Sequence, residues 1–415
     1  MTETLITNLA EVASPQGSSS RRGGEQGRIN RLPKAEVLVR NGRVVFVGPS
    51  AERMARFGEV PPGARFDAGG GTLVPGFVDC HTHLPWGGDR AHELTQRLGG
   101  KSYQEIAAAG GGILSTVAAT RRASEEELAV LVRQRLDRML AWGTTTAEAK
   151  SGYGLSLDDE LKQLRAIRRG AEGHAVEVVP TLLAAHEVPP EHRASRERYL
   201  DLIVHEITPA AAEAGLARFA DVFCEQGVFS VEESRRVLEA GRRHGLTPRL
   251  HADEFVDSGA AALAAELSAA SADHLIAVSE AGIAALAASD VTAVMLPGVS
   301  MFLRLPGYAP ARRLIAEGVP VAIATDCNPG SSHTESLLFV FWLAVFKLKL
   351  TPEEALTAAT LNPACLLGMG ESAGSIEPGK QADLVLLDAP SFDHLAYHFG
   401  VNPVKAVWKR GKKVS

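Results

Sequence analysis

Histidine and acidic side chains that could bind a metal ion stand at the ends of four apolar segments. One segment ends in His81 and His83, and the other three end in His251, His274 and Asp326. Side chains alternate between the two faces of a β-strand, so His81 and His83 point to the same side, as two ligands of one ion require. A pair of histidines at this spacing also occurs on solvated strands. Four segments in one chain that all end in possible metal ligands nevertheless predict a metal site.

The donor set of this predicted site indicates hydrolytic chemistry. Several neutral imidazoles with one carboxylate suit a borderline divalent cation such as Zn²⁺ or Fe²⁺. A cation of this kind lowers the pKa of its bound water toward ~7 and polarises a carbonyl group. Both effects favour hydrolysis near neutral pH, and the residues alone do not choose between zinc and iron.

Eight short β-rich segments alternate with helical stretches between about Val74 and Leu367. They read GFVDCHTH, TTAEAK, VEVVPTLLAAH, ADVFCE, TPRLHA, ADHLI, VTAVMLPG and VPVAIATD. Eight strand-helix units favour an α/β fold of the (β/α)8 TIM-barrel type, whose catalytic groups lie at the carboxyl ends of the strands. An open nucleotide-binding sheet would carry a glycine fingerprint, which the cluster Gly110 to Gly112 lacks, so this cluster is interpreted as a flexible loop.

Both ends of the chain carry β-patterns that predict a small β-sandwich module. AEVLVRNGRVVFVG alternates apolar residues around Asn41-Gly42, a pair that suits a type I′ hairpin turn, and similar patterns return in ADLVLLDA and VKAVWKRGKKV. We expect the module to comprise residues 1–74 and 368–415, with the barrel over 75–367. Residues 13–28 are rich in Ser, Gly and Arg with little to bury, which predicts a flexible segment.

The composition is that of an ordinary globular protein. Of the 415 residues, 45% are hydrophobic and 22% are charged, and the formal net charge is −6. A mildly acidic chain lacks the positive field that nucleic acids or anionic membranes attract, so we expect neither partner. The longest apolar run, Leu337 to Phe346, is about half of the ~20 residues that cross a bilayer, and it predicts a buried helix.

The cysteine pattern and the amino-terminal residues both predict a cytoplasmic location. The four cysteines are scattered without CxxC spacing, which is typical of reduced and mostly buried thiols. The segment MTETLITNLAEV lacks the charged, apolar and small-residue parts of a secretory signal.

The motifs taken together resemble the amidohydrolase superfamily from end to end. The segments that carry this resemblance are VPGFVDCHTH, HADE (251–254), SADHL (271–275), ATDCNPGS (324–331) and GSIEPGKQADLVLLD. Within the superfamily, HTHLPWGGDR, EAKSGYGL, LLAAHEVPPE and DVFCEQGVF resemble the imidazolonepropionase family more closely. That family hydrolyses the cyclic amide of 4-imidazolone-5-propanoate to N-formimidoyl-L-glutamate in histidine degradation. The resemblance thus implies a hydrolase of C–N bonds with a small-molecule substrate, and analogy with related barrels suggests a homodimer.

The resemblance also implies a set of metal ligands. They would be His81, His83, His251 and Asp326. Several superfamily members hold two metals bridged by a carboxylated lysine in strand four, but ADVFCEQG contains no lysine, so one ion, zinc or iron, is expected. Lys150 lies on another strand, where we expect it to form an ion pair.

The remaining site residues are assigned to catalysis and substrate binding by the same resemblance. Glu254 would shuttle protons, His274 would orient the attacking water or stabilise the oxyanion, and the sequence leaves base duty open between Glu254 and Asp326. Arg90 offers a planar cation for the substrate carboxylate. Backbone amides of the turn after Asp326 could also reach the ligand. The expected substrate contacts are Arg90, Tyr153, His186, Glu254, Asn328, Gly330 and Ser331.

Two other functions stay open from the sequence. HxH, HxxE, a strand-six histidine and a strand-eight aspartate also occur in cytosine-deaminase-like enzymes, which act on rings such as cytosine or guanine. Arg90 argues against that reading, because a neutral base offers no carboxylate to it. The other alternative is a non-catalytic barrel without its metal, and the complete ligand set argues against it. Cys80 should face the helical layer, and no cysteine is assigned as a nucleophile.

Overall fold

The structure is a computed structural model that describes residues 2–101, 105 and 110–415. Strands of the described residues form three sheets. In chain order they are β1 (Glu3–Thr7), β2 (Glu11–Ser14), β3 (Asn30–Pro33), β4 (Ala35–Arg40), β5 (Arg43–Pro49), β6 (Arg65–Asp67), β7 (Thr72–Pro75), β8 (Phe77–Asp79), β9 (Thr144–Lys150), β10 (Glu177–Ala185), β11 (Phe219–Cys224), β12 (Thr247–Ala252), β13 (Ser271–His274), β14 (Thr292–Met295), β15 (Val321–Ile323), β16 (Leu384–Leu387), β17 (Val404–Lys409) and β18 (Lys412–Lys413).

The α-helices lie mostly between the strands of the barrel. Those of the described residues are α1 (Ser50–Phe57), α2 (Ala91–Leu98), α3 (Ile113–Arg122), α4 (Glu125–Ala141), α5 (Leu157–Ala171), α6 (Arg196–Leu202), α7 (Thr208–Glu213), α8 (Val231–Arg243), α9 (Ala260–Glu266), α10 (Glu280–Ala287), α11 (Pro297–Phe302), α12 (Ala311–Ala316), α13 (Leu337–Phe346), α14 (Pro352–Ala359), α15 (Leu361–Leu366) and α16 (His394–Tyr397). A short π-helical stretch, Ile203–Ile207, joins α6 to α7.

Strands β8 to β15 form a parallel barrel, as the sequence predicts. Each strand pairs with the next along the chain, from β8 with β9 to β14 with β15. Backbone hydrogen bonds join the segment that follows the first strand to the segment that follows the last. The N–H of Asp326 donates to the carbonyl of His81, and the N–H of His83 donates to the carbonyl of Cys327, both at 3.0 Å. These bonds place the first and last predicted ligand segments side by side.

Local sequence signals start several of the outer helices. Ser124, Ser230 and Thr351 cap α4, α8 and α14, and in each case a glutamate three residues later returns a hydrogen bond to the capping residue. Such capping boxes satisfy backbone N–H groups that a helix leaves without a partner. Each of these three helices therefore begins directly after its capping residue.

Strands from both ends of the chain share one sheet, as predicted for the β-sandwich module. One sheet has the order β5-β4-β1-β6, and the other has the order β18-β17-β16-β7-β2-β3. Ile6 and Val37 of the first sheet share a buried cluster with Leu73 and Trp408 of the second. Between β4 and β5, Asn41 and Gly42 have positive φ angles of 49° and 78°, as a type I′ turn requires. The domain boundaries at 74/75 and 367/368 stay a prediction.

Residues 13–28 are more buried than their composition predicts. The side chain of Gln26 is fully buried, and its amide oxygen accepts a hydrogen bond of 3.1 Å from the N–H of Val321. The N–H of Arg21 donates to Asn362 Oδ1 at 2.8 Å. These hydrogen bonds hold two residues of the segment against the barrel, and the flexibility expected of residues 13–28 stays a prediction.

The apolar run Leu337 to Phe346 is helix α13, as predicted. Leu337, Val340 and Phe341 are buried against the core. Among the described residues, no helix combines the length and the apolar character that crossing a membrane requires.

Candidate active site

A cavity of about 1030 Å³ opens at the carboxyl ends of the barrel strands. This is the end at which barrel enzymes carry their catalytic groups. His81 lies below the cavity and is fully buried. The other predicted site residues all line the cavity wall, namely His83, Arg90, Tyr153, His186, His251, Glu254, His274, Asp326, Asn328, Gly330 and Ser331.

Four side-chain atoms of the predicted metal ligands converge at the floor of the cavity. Asp326 Oδ1 lies 3.2 Å from His83 Nε2 and 3.4 Å from His81 Nε2. His251 Nε2 lies 3.5 Å from His83 Nε2. Atoms that bind one ion tetrahedrally at 2.0–2.2 Å lie about 3.3 Å apart. These three distances are therefore close to those expected between ligands of one metal ion, and His81, His83 and Asp326 together form a group that could hold one.

The chemistry of the donor atoms also fits a cation. His81 Nδ1 lies 2.6 Å from Asp273 Oδ2, which keeps the ring proton on Nδ1 and leaves a lone pair on Nε2. This Nε2 and Asp326 Oδ1 therefore face each other as two acceptors, and neither has a hydrogen-bond partner among the described residues. Burial lowers the pKa of His81 and His83 well below the usual value, so both imidazoles are neutral at pH 7 and can act as ligands.

Glu254 and His274 stand beside the ligand set. Glu254 Oε2 lies 3.7 Å from His274 Nε2. Burial, and to a lesser degree Asp326 and Glu225, raise the pKa of Glu254 well above its usual value. Burial also lowers the pKa of His274 to about 3. A carboxyl group with a raised pKa holds its proton to higher pH than an ordinary glutamate, which suits a group that takes up and releases a proton.

Two of these residues adopt backbone conformations that are rare outside glycine. His274 has a φ of 77° and Asp326 a φ of 50°. Such left-handed conformations cost about 1–3 kcal/mol each and concentrate at functional sites. Here they turn the chain at the strand end, so that each side chain reaches the cavity.

Arg90 lies in the cavity wall, where Glu93 holds it. Arg90 Nε and Nη2 donate to Glu93 Oε2 at 3.0 and 2.8 Å, and Glu93 Oε1 accepts a 2.8 Å hydrogen bond from the N–H of Gly112. A Cβ atom added at Gly330 would overlap Arg90 Nη1, so the guanidinium packs directly on this glycine. Gly112 thus belongs to the support of Arg90, and it directly precedes helix α3.

His186 and Tyr153 form one wall next to His83. The ring of His186 stacks on His83 with centroids 5.2 Å apart, and Tyr153 lies 5.3 Å from His186. His186 Nδ1 donates to the carbonyl of Gly152 at 2.9 Å, which leaves its Nε2 as an acceptor. His186 therefore offers a ring nitrogen within 4.8 Å of ligand atoms of His83 and His251.

The turn after Asp326 is organised by its own asparagine. Asn328 Oδ1 accepts hydrogen bonds of 2.8 Å from the backbone N–H groups of Gly330 and Ser331. The expectation that these two amides reach the ligand is wrong, because the asparagine side chain already occupies them. Asn328, Gly330 and Ser331 still line the cavity.

Sequence reasoning missed the acids that support the site from behind. Glu160 accepts backbone hydrogen bonds from Gly152, Gly154 and Leu155 and so fixes the loop that carries Tyr153. The acidic first turn of α5, directly after SGYGLS, is a signal that could have pointed to it. Asp221, Asp273 and Glu93 act through contacts between distant segments, which the sequence pattern does not reveal.

Lys150 forms ion pairs, as predicted. Its Nζ lies 3.0 Å from Glu148 Oε1 and 2.8 Å from Asp221 Oδ2, and all three side chains are fully buried. The cysteines agree with the sequence as well. All four are unbridged, and Cys80 packs in an apolar cluster with Ala364 and Leu366 on the helical side of the barrel.

Comparison with known proteins places the chain among close relatives. Residues 72–414 match the model of the amidohydrolase family. An imidazolonepropionase of Symbiobacterium thermophilum is 52% identical to it, over 99% of this chain and 97% of the relative. An imidazolonepropionase of Geobacillus kaustophilus is 49% identical, over 92% of this chain and 90% of the relative.

Solved structures share the fold at much lower identity. A zinc-bound adenosine deaminase from Xanthomonas campestris has a TM-score of 0.72 at 22% identity, with 99% of this chain and 92% of that chain covered. A guanine deaminase from Bradyrhizobium japonicum has a TM-score of 0.74 at 17% identity, with 100% and 99% covered. These two likenesses show a common fold, whereas the close relatives show membership: the chain belongs to the amidohydrolase family and, within it, to the imidazolonepropionase family.

Proposed function

We propose that this hydrolase opens the cyclic amide of 4-imidazolone-5-propanoate to N-formimidoyl-L-glutamate, a step in the degradation of histidine to glutamate. The observation that carries the proposal is the cavity at the carboxyl ends of the strands, which has Arg90 on its wall and the predicted metal ligands at its floor. Relatives 45–52% identical that are named imidazolonepropionase support the same reaction. The cyclic amide of this substrate would be hydrolysed at the metal ligands, and its carboxylate would pair with the arginine.

His81, His83, His251 and Asp326 would hold one divalent ion, either zinc or iron. Such an ion supplies a Lewis acid for the ring carbonyl and lowers the pKa of a bound water toward ~7. The acceptor atoms that face each other across the floor of the cavity support this assignment.

Proton transfer falls to the residues next to the ligand set. Hydrolysis adds water to the ring carbonyl carbon, breaks the bond from this carbon to the ring nitrogen and moves one proton from the water to that nitrogen. Glu254, buried at the cavity wall with a raised pKa, would carry this proton. His274 would donate a hydrogen bond to the oxygen on which negative charge develops. Asp326 is the alternative base.

Substrate orientation would come from other residues of the cavity wall. Arg90 pairs with the propanoate carboxylate, while Tyr153 and His186 contact the edge of the ring. Asn328 would contribute mainly by shaping the turn that carries Gly330 and Ser331. Glu93 presents the arginine with its fork already oriented, which reduces the entropy lost on binding.

Replacing Arg90 by alanine is expected to raise KM about 10- to 100-fold with a smaller change in kcat. A charge-assisted pair contributes about 1.5–3 kcal/mol, and this pair holds a carboxylate that takes no part in the bond cleavage. Steady-state kinetics checks the split between KM and kcat. Arg138→Ala is the control, because Arg138 is half exposed and pairs with Glu335. Unchanged KM in the Arg90 variant would remove the arginine from substrate binding.

Replacing Gly330 by alanine is expected to raise KM about 10-fold in a protein that still folds. The added Cβ displaces the flexible end of Arg90, with no backbone atom among its nearest contacts, so the carboxylate partner is misplaced. Gly63→Ala is the matched control, since nothing lies within 4 Å of a Cβ built there. A Gly330 variant with parental KM would show that the guanidinium position does not matter.

We further propose that the enzyme acts in the cytoplasm as a homodimer. The four unbridged cysteines support a reducing compartment. The dimer rests on analogy with related barrels, and sedimentation of the purified protein would test it.

The proposed function is tested by metal content and by loss of imidazolone absorbance with freshly generated 4-imidazolone-5-propanoate. The expected result is about one zinc or iron per chain together with turnover. Protein that holds no metal, and gains no activity with Zn²⁺ or Fe²⁺, would favour the non-catalytic alternative.

A further inference from the structure

Two buried aspartates contact the rear nitrogens of two of the proposed metal ligands. Asp273 Oδ2 lies 2.6 Å from His81 Nδ1, and Asp221 Oδ1 lies 3.1 Å from His251 Nδ1. The side chains of both aspartates are fully buried. Neither aspartate lines the cavity, so neither can contact a substrate there.

Each aspartate is in turn held by a buried cation. Arg249 Nη2 donates to Asp273 Oδ2 and to the carbonyl of Cys80, both at 2.8 Å. Lys150 Nζ lies 2.8 Å from Asp221 Oδ2 and 3.0 Å from Glu148 Oε1. Because these five charged side chains are buried below the ligand set, their positions are fixed by each other rather than by water.

The contacts have a direct consequence for the two histidines. A carboxylate at Nδ1 keeps the proton on that nitrogen, fixes the plane of the ring and makes Nε2 a stronger donor to a metal. His83 differs from His81 and His251, since its Nδ1 has no hydrogen-bond partner among the described residues. Two of the three histidine ligands are therefore oriented from behind and one is not.

We propose that Asp221 and Asp273 are positioning residues that set the affinity of the site for its metal ion, with Lys150 and Arg249 holding them in place. This inference rests on the ligand set of the proposed function. It gives these buried charged residues a role in metal binding, although none of them takes part in the proposed reaction.

The test is the dissociation constant for Zn²⁺, measured by competition with a chelator on metal-depleted, full-length protein. Asp221→Asn and Asp273→Asn keep the size of the side chain and remove its charge. Each is expected to weaken Zn²⁺ binding about 10- to 100-fold. Asp383→Asn is the matched control, because Asp383 is a buried aspartate that pairs with Lys409 Nζ at 2.7 Å in the sheet formed by the chain ends.

Two further readouts separate positioning from a structural role. The absorption bands of the Co²⁺-loaded protein are expected to change in the Asp221 and Asp273 variants and to stay the same in the Asp383 variant. Thermal unfolding of the metal-free proteins shows whether the fold persists. If Asp273→Asn does not fold, Asp221→Asn decides the question, because Lys150 keeps Glu148 as a partner in that variant.

Unchanged Zn²⁺ affinity in folded variants, or an equal loss in the Asp383 variant, would overturn the inference. Failure of the proposed function gives a different pattern. In that case the parent protein itself binds no Zn²⁺, or binds Zn²⁺ without consuming the imidazolone.

Discussion

The His251→Ala variant is expected to lose its metal ion and at least about 10³-fold of its activity. Metal-assisted charge stabilisation is worth several kcal/mol, and each 1.36 kcal/mol is a factor of ten in rate. His251 Nε2 belongs to the converging set, 3.5 Å from His83 Nε2, so its removal opens the site on one side. Metal content and turnover are measured on the same preparation.

The control for this variant is His92→Ala, which removes an exposed histidine at the start of helix α2. It is expected to keep its metal ion and its activity. A His251 variant with the metal content of the parent would show that the ion binds elsewhere.

The Glu254→Gln variant is expected to lower kcat about 10²- to 10⁴-fold while its metal content stays that of the parent. Glutamine keeps the shape of the side chain but cannot carry the proton from water to the ring nitrogen. Glu254 lies beside His274 and is not one of the four converging ligands. This is why catalysis and metal binding should separate in this variant.

Single-turnover kinetics and metal analysis check the prediction, with Glu52→Gln, an exposed residue of helix α1, as the control. Near-parental turnover in the Glu254 variant would transfer base duty to Asp326. A parallel loss of metal would instead make Glu254 part of the ligand set.

The grouping of the proposed ligands could be predicted because each of them is tied to a local pattern. His81 and His83 follow an apolar strand and both approach Asp326, and His251, His274 and Asp326 lie at or just beyond the ends of their strands. In a barrel these ends meet by construction, so spacing in the sequence translates into proximity in space. The eight strands were also predictable from local patterns, because each is a short β-rich segment between helical stretches.

The contacts that hold the site together could not be predicted, because they join distant segments. His81 and Asp273 are 192 positions apart, and Gln26 and Val321 are 295 positions apart. Their pairing depends on how strands and loops pack, which no local pattern records. The same reason explains the wrong expectation for the amides after Asp326, where a side chain two residues away took the donors.

The most direct test of the central claim is the identity of the product. The protein is incubated separately with 4-imidazolone-5-propanoate, cytosine and guanine, and each mixture is assayed for N-formimidoyl-L-glutamate and for ammonia. We predict that the imidazolone is opened to N-formimidoyl-L-glutamate without ammonia release, and that neither base reacts. Ammonia from cytosine or guanine, with the imidazolone left intact, would contradict the proposed reaction and identify the cavity as that of a deaminase.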